Sequence, residues 1–136
     1  MKKLMVLCLL VLQGFMLQAF AKNILASNTN LCVNDEFGSE RIKLMKDFTF
    51  EVWTNDVFNY RGTWDFDDDE CSAIILTYET EDEEGENTSM EMYLRVVRPE
   101  NYDPNARGLQ DRAGNKFRSV SRVKFQDTEY SKSNCE

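Results

Sequence analysis

The side chains that most often carry out chemistry in proteins are unevenly represented in this sequence. Histidine is absent from all 136 residues, which excludes Ser-His-Asp triads, Cys-His pairs and the usual histidine-containing zinc sites. Asp and Glu are abundant, at 24 residues, and they are densest in the segment 65–91. Carboxylates crowded into turns are usually solvated, whereas catalysis needs groups that converge in a pocket. We therefore expect a protein without enzymatic activity.

One acidic segment partly matches a calcium-binding loop. Asp65, Asp67 and Asp69 occupy the first, third and fifth positions of that pattern. The sixth position is Glu70, where a glycine normally makes the turn, and the twelfth is Leu76, where a bidentate glutamate is required. The sequence therefore predicts a polar hairpin turn here, with no metal and no other cofactor.

The first 21 residues have the three parts of a secretory signal peptide. Lys2 and Lys3 supply a positive start, residues 4–12 form an unbroken apolar run, and Ala19 and Ala21 provide a small-x-small cleavage site. The apolar run is well below the roughly 20 residues that span a bilayer. The sequence thus predicts a cleaved signal peptide (1–21), no membrane span, and a secreted or periplasmic single domain (22–136).

The predicted mature chain is strongly acidic. Loss of Lys2 and Lys3 takes the net charge from −8 to −10, which opposes binding to nucleic acid and to anionic lipid because both are polyanions. Basic side chains gather near the C-terminus, where they could face a protein partner. They are Arg107, Arg112, Lys116, Arg118, Arg122 and Lys124.

Three cysteines, Cys32, Cys71 and Cys135, remain after the predicted cleavage. In an oxidising compartment an odd number indicates one disulfide and one further thiol, and three pairings are open. We favour Cys32 with Cys135, because this bond would tie down both ends of the domain. It would close a loop of about 100 residues, a stabilisation of up to roughly 4 to 5 kcal/mol. Cys71 would then be a buried apolar residue or a surface thiol.

Alternation of apolar and polar residues, the signature of strands with one buried face, runs through the mature chain. Five segments show it: 42–53, 58–66, 74–78, 90–97 and 117–125. A long loop near 99–116 precedes the last of them, and a polar tail follows. The pattern predicts an all-β fold, an antiparallel meander closing into a small barrel or half-barrel.

Aromatic residues concentrate in the first two of these strands. Phe50, Phe58, Tyr60 and Trp64 could fill the interior of the barrel as core, or line a part of it that stays open as an apolar pocket. Sequence leaves both interpretations open, and we take these four as the candidate ligand-binding residues.

Three features of residues 48–78 belong together: a phenylalanine-rich strand, the triplet Gly62-Thr63-Trp64, and the strand from Ile74 to Tyr78 after a short acidic turn. This segment resembles the small secreted lipocalin-like (calycin-type) domains. The resemblance implies an up-and-down barrel or half-barrel that binds a small apolar ligand at its open end.

The leading hypothesis is therefore a secreted, non-enzymatic binding domain for a small apolar ligand. The alternative is a secreted protein-interaction module or inhibitor that uses the basic final strand and the long loop. A hydrolase working through carboxylates ranks third. An apolar pocket favours the first hypothesis, a filled interior with an exposed patch the second, and two carboxylates roughly 5 to 10 Å apart in a cleft the third.

Overall fold

The computed structural model describes residues 22–68, 70–98 and 110–135. Within these residues the chain forms ten β-strands and one short 3-10 helix. In chain order they are β1 (Asn23–Leu25), β2 (Thr29–Asp35), β3 (Gly38–Leu44), β4 (Thr49–Thr54), β5 (Val57–Phe66), β6 (Ala73–Glu81), β7 (Asn87–Val96), β8 (Lys116–Arg118), β9 (Arg122–Phe125), β10 (Thr128–Ser131) and the 3-10 helix η1 (Lys132–Cys135).

Eight of these strands close into an antiparallel barrel. The order around it is β10-β2-β3-β4-β5-β6-β7-β9, and β9 pairs with β10 to complete the circle. The six strands β2 to β7 follow one another as a meander, and closure leaves this sheet without an unpaired edge. The predicted all-β antiparallel meander is confirmed, and the barrel is fully closed rather than half-open.

The other two strands form a separate parallel pair. β1 pairs with β8, with Ile24 opposite Phe117, and the backbone N–H of Ala26 donates to the carbonyl oxygen of Arg118 at 2.9 Å. Leu25, at the end of β1, and Val120, just after β8, belong to the buried core cluster. The pair is therefore packed against the barrel, although it adds no strand to it.

Two of the five predicted strands prove to be two strands each. Predicted strand 42–53 is interrupted by a turn at residues 45–48, where Phe48 has a φ of 67°. The carboxylate of Asp47 accepts hydrogen bonds from the backbone N–H and the hydroxyl of Thr49. Such local bonds satisfy the turn, so the strand ends although the apolar alternation continues. Predicted strand 117–125 divides into β8, outside the barrel, and β9, within it.

The strands β2 and β10 were not predicted, and the polar tail contains β10 and η1. Their sequences are largely polar and alternate poorly. Long-range pairing compensates, since seven residues of β2 pair with β3 and four of β10 pair with β9. A backbone whose N–H and C=O groups are satisfied by neighbours needs little intrinsic β preference.

Two predicted segments fall wholly or partly outside the described residues. They are the signal peptide, 1–21, and residues 99–109 of the long loop. The last part of that loop, residues 111–115, is a tight turn around Asp111, whose carboxylate accepts hydrogen bonds from the backbone N–H groups of Ala113 and Asn115.

Cys32 and Cys135 form a disulfide, the pairing that the sequence favoured, with Cα atoms 5.1 Å apart and a sequence separation of 103. The bond holds η1 against the outer face of β2. Asn34 donates through its side chain to the carbonyl oxygen of Asn134, and Asn134 donates to that of Cys32. Cys71 is not part of this bond, and its side chain is buried.

Disulfides are typical of oxidising compartments, which agrees with a location outside the cytosol. The described residues include no helix with the length and apolar character needed to cross a bilayer. Signal-peptide cleavage and secretion themselves stay predictions.

Candidate functional site

The two ends of the barrel differ in how they are filled. The closed end comprises the β3–β4 turn (residues 45–48), the end of β5 and the start of β6. The open end comprises the turns that join β2 to β3, β4 to β5, β6 to β7 and β9 to β10.

Trp64 occupies the closed end. Its side chain is 2% exposed, and its indole N–H donates to the carbonyl oxygen of Met45 at 2.9 Å. The rings of Phe48 and Phe66 lie 4.8 and 5.2 Å from that of Trp64 between centroids. Lys22 covers the outside, with its Nζ 3.9 Å from the Phe48 ring centroid. These side chains therefore shield Trp64 from solvent at this end of the barrel.

Phe50 lies deeper, midway along the barrel, and is fully buried. Its ring makes edge contacts with Tyr60 and Tyr78, at centroid distances of 6.1 and 6.4 Å. Gly62 makes room for this ring, because a Cβ there would collide with the carbonyl oxygen of Thr77 and meet the Phe50 ring. Phe50 and Trp64, two of the four candidate binding residues, are thus core.

Phe58 is displaced from the face on which the sequence placed it. The pairing of β4 with β5 steps from Val52 opposite Tyr60 to Trp53 opposite Phe58, so Asn59 is an extra, bulged residue. A bulge reverses the facing of the residues beyond it. Phe58 consequently lies on the outer surface, 46% exposed, with its ring edge-on to Trp53 at 5.7 Å.

Tyr60 is the member of the four that reaches the open end. It is half-buried, and its ring lies 4.6 Å from that of Tyr78 at an interplanar angle of 33°. Val33, Met92 and Phe125 are also only partly buried against the core. Partly buried apolar side chains thus border the fully buried core.

A cavity of about 250 Å³ opens at this end between the β2–β3 hairpin, the β4–β5 turn and the start of β10. We call it the mouth cavity. The residues that line it include Val33, Phe37, Glu40, Thr54, Thr128 and Tyr130. The cavity thus opens at the mouth of the barrel.

Glu40 brings a carboxylate to the mouth cavity. Alternation along β3 puts it on the same inward face as the buried Ile42 and Leu44. Burial raises the pKa of Tyr130, and the negative charge of Glu40 and a hydrogen bond to its carboxylate raise it further. Burial also raises the pKa of Tyr60 to about 12, helped by electrostatic interactions with Tyr78 and Glu40. Glu40 therefore lies beside two phenol groups that stay neutral.

Sequence reasoning missed Glu40 and Tyr130. The signal for Glu40 was present, because it is in phase with the apolar positions 42 and 44, and a charged residue on an apolar face is informative. Tyr130 had no such signal, since it lies in the polar tail.

Two further cavities lie elsewhere. One of about 290 Å³ is bordered by Phe66, Cys71 and Arg118 near the closed end, and one of about 380 Å³ lies beside Gly62, Thr63 and Thr77 along β5 and β6. Among the described residues no group of three or more Cys, Asp and Glu side chains is placed to hold a metal. Asp69, of the partial calcium pattern, is outside those residues.

The basic residues near the C-terminus are partly neutralised within the fold. The guanidinium group of Arg122 pairs with the carboxylate of Glu129 at 2.7 Å, and that of Arg118 donates to the side-chain oxygen of Asn23. Arg107 lies outside the described residues. The use of the basic final strand as a binding surface stays a prediction.

Comparison of the chain with protein-family models, with curated proteins and with solved structures finds no significant match to any of them. An eight-stranded antiparallel barrel is compatible with a calycin-type fold, and this is as far as the architecture reaches.

Proposed function

We propose that this protein is an extracellular, non-enzymatic binding domain that holds a small, partly apolar ligand in the mouth cavity. The observation that carries the proposal is the cavity of about 250 Å³ at the open end of a closed barrel. Mouths of β-barrels are frequent ligand sites. The cavity is slightly smaller than the roughly 300 to 1,000 Å³ of most small-molecule pockets, which favours a ligand of about one ring.

The roles of the four candidate residues are revised accordingly. Phe50 and Trp64 are core residues, which support the base of the site without lining the mouth cavity. Tyr60 is not among the lining residues, but it is half-buried and interacts electrostatically with the lining residue Glu40. Phe58, on the outer surface, is no longer part of the proposed site.

Binding rather than turnover is favoured by the polar groups at the site. Asp35 is engaged in its own turn, where its carboxylate accepts a hydrogen bond from the backbone N–H of Phe37 at 2.8 Å. Glu40 interacts with the hydroxyl of Tyr130. The two carboxylates of the cavity are thus used to organise it, and neither has a described partner that would activate a nucleophile.

The proposal is tested by titrating the oxidised protein with a fluorescent apolar probe. Saturable binding near one to one is expected, with micromolar affinity, about 8 kcal/mol. Thr128→Trp, which places a large ring in the lining of the mouth cavity, is expected to weaken binding at least tenfold. Thr63→Trp is the matched control, because Thr63 is another exposed strand threonine but lies along β5 away from the mouth.

Two outcomes would contradict the proposal. One is the absence of saturable binding to a protein whose folding is shown by circular dichroism. The other is equal weakening by Thr128→Trp and Thr63→Trp, which would place the probe elsewhere.

A second candidate function, a protein-interaction module, is favoured by apolar side chains exposed around the open end. Phe37, at the tip of the β2–β3 hairpin, is 87% exposed, and Val57 and Phe58 are also exposed. Clustered exposed apolar residues are characteristic of interaction surfaces. The same titration separates the two functions, since an interaction module needs no saturable small-molecule site.

A further inference from the structure

We propose that the ligand of the mouth cavity is a small amine, whose ammonium group binds to Glu40 while its ring or short apolar body lies toward Tyr60. This inference rests on the proposed binding function and adds the charge and chemical class of the ligand.

The lining of the mouth cavity is acidic. Among the described residues that line it, Asp35 and Glu40 are acidic and none is Lys or Arg. Taking a carboxylate out of water is costly unless it is compensated by a partner. Tyr130 lines the same cavity, and the carboxylate of Glu40 raises the pKa of its hydroxyl, whereas a carboxylate has about four acceptor positions. A cation in the cavity would use the remaining ones.

The nearest basic residues in sequence do not fill this role. Arg41 and Lys43 alternate with Glu40 and Ile42 along β3, so they face outward. Their cationic groups lie 5.7 and 5.5 Å from the ring centroid of Trp53, on the outer surface of the barrel. The wall of β3 thus separates the basic side chains outside from the carboxylate inside. The acidic mature chain would also attract cations in general.

The aromatic groups around Glu40 suit an ammonium ion rather than a metal ion. Tyr130 and Phe37 line the cavity together with Glu40, and Tyr60 is near enough to interact electrostatically with the carboxylate. Aromatic faces attract organic cations, and a cation held by a carboxylate beside such rings is a recurrent arrangement. Hard metal ions instead need several oxygen ligands. The cavity volume of about 250 Å³ then limits the amine to about one ring with a short chain.

Isothermal titration calorimetry of the oxidised protein tests whether the mouth cavity prefers an amine. The probes are 2-phenylethylamine, its neutral analogue 2-phenylethanol and the anionic phenylacetate. The amine is expected to bind about 10- to 100-fold more tightly than the alcohol, the range expected for one charge-assisted hydrogen bond. Phenylacetate is expected to bind more weakly than either.

Glu40→Gln keeps the shape and a hydrogen-bond acceptor but removes the charge, so it is expected to abolish the preference for the amine over the alcohol. Glu51→Gln is the matched control. Glu51 is also half-buried, but its carboxylate accepts a hydrogen bond from the indole N–H of Trp53 on the outer surface. The control is expected to keep the preference. Glu40→Asp, which retains the charge, should keep part of it.

The outcomes separate the two proposals. If the alcohol binds as tightly as the amine, or if Glu40→Gln keeps the preference, the ammonium assignment is overturned while the binding function stands. If none of the three compounds nor the apolar probe binds, both proposals fail. The comparison of amine with alcohol on the unmodified protein requires no variant, so the inference is decided even if Glu40→Gln does not fold.

Discussion

The two ends of the barrel are formed by the same strands, but the side chains at the two ends differ in burial and in their partners. At the closed end, Trp64 donates its indole N–H to the carbonyl oxygen of Met45, and Phe48 and Phe66 pack on either side. At the open end, Tyr60 is only half-buried and Glu40 brings a charge inside the wall. At the closed end the buried indole N–H has its hydrogen-bond partner, whereas at the open end Tyr60 is only partly buried and Glu40 lines a cavity.

This difference indicates a division of roles within one small core. Fully buried, well-packed side chains supply most of the stability of a domain of this size. Half-buried polar and aromatic side chains contribute less to it, and they are characteristic of sites that recognise something else. Substitutions at the closed end should therefore change stability, and substitutions at the open end should change binding.

The largest expected effect is that of Trp64→Ala. It removes a buried ring and its hydrogen bond, and it should lower the free energy of unfolding by about 3 to 5 kcal/mol. Phe37→Ala at the open end removes an equally apolar but exposed ring and should change it by no more than about 0.5 kcal/mol. Urea denaturation followed by circular dichroism measures both. Similar losses in the free energy of unfolding for the two variants would show that the two ends contribute equally to stability.

A smaller but still large effect is expected from removing the disulfide. Because the bond closes a loop of 103 residues, replacing Cys32 and Cys135 together by Ser should lower the free energy of unfolding by about 2 to 4 kcal/mol, mainly by freeing the unfolded chain. The bond lies on the outer face of β2, away from the mouth cavity. Probe affinity of the folded variant should therefore be unchanged, and a parallel loss of affinity would show that the site depends on η1.

The smallest effect concerns alkaline pH and Tyr60. Its pKa is about 12 in the folded protein, above the ordinary value near 10, so the folded state holds this proton more tightly than the unfolded state does. The resulting stabilisation is complete below pH 10 and is lost as the pH rises from 10 to 12. Tyr60→Phe should lose less stability than the unmodified protein between pH 9 and pH 11.5, measured as the urea midpoint. Equal losses would mean that Tyr60 is not desolvated by the wall.

Much of the meander was predictable, because its signals are local. Alternation along β5 and β7 placed Trp64 and Leu94 on apolar faces, and both are buried. Asn55 and Asp56, between two of the predicted strands, both have positive φ, as tight hairpin turns require. In each case the residues adjacent in sequence are enough to predict the local structure.

The sequence by itself thus determined the all-β class, the inward face of most meander strands and the favoured partner of Cys32. Tertiary structure alone decided that β2 and β10 are strands, that the bulge at Asn59 turns Phe58 outward, and that Glu40 meets Tyr130. These two residues are 90 positions apart: β3 is the hairpin neighbour of β2, whereas β10 reaches the other side of β2 only when the barrel closes. Local periodicity specifies whether a side chain points into the barrel or outward. Only long-range strand pairing specifies which other side chains it contacts.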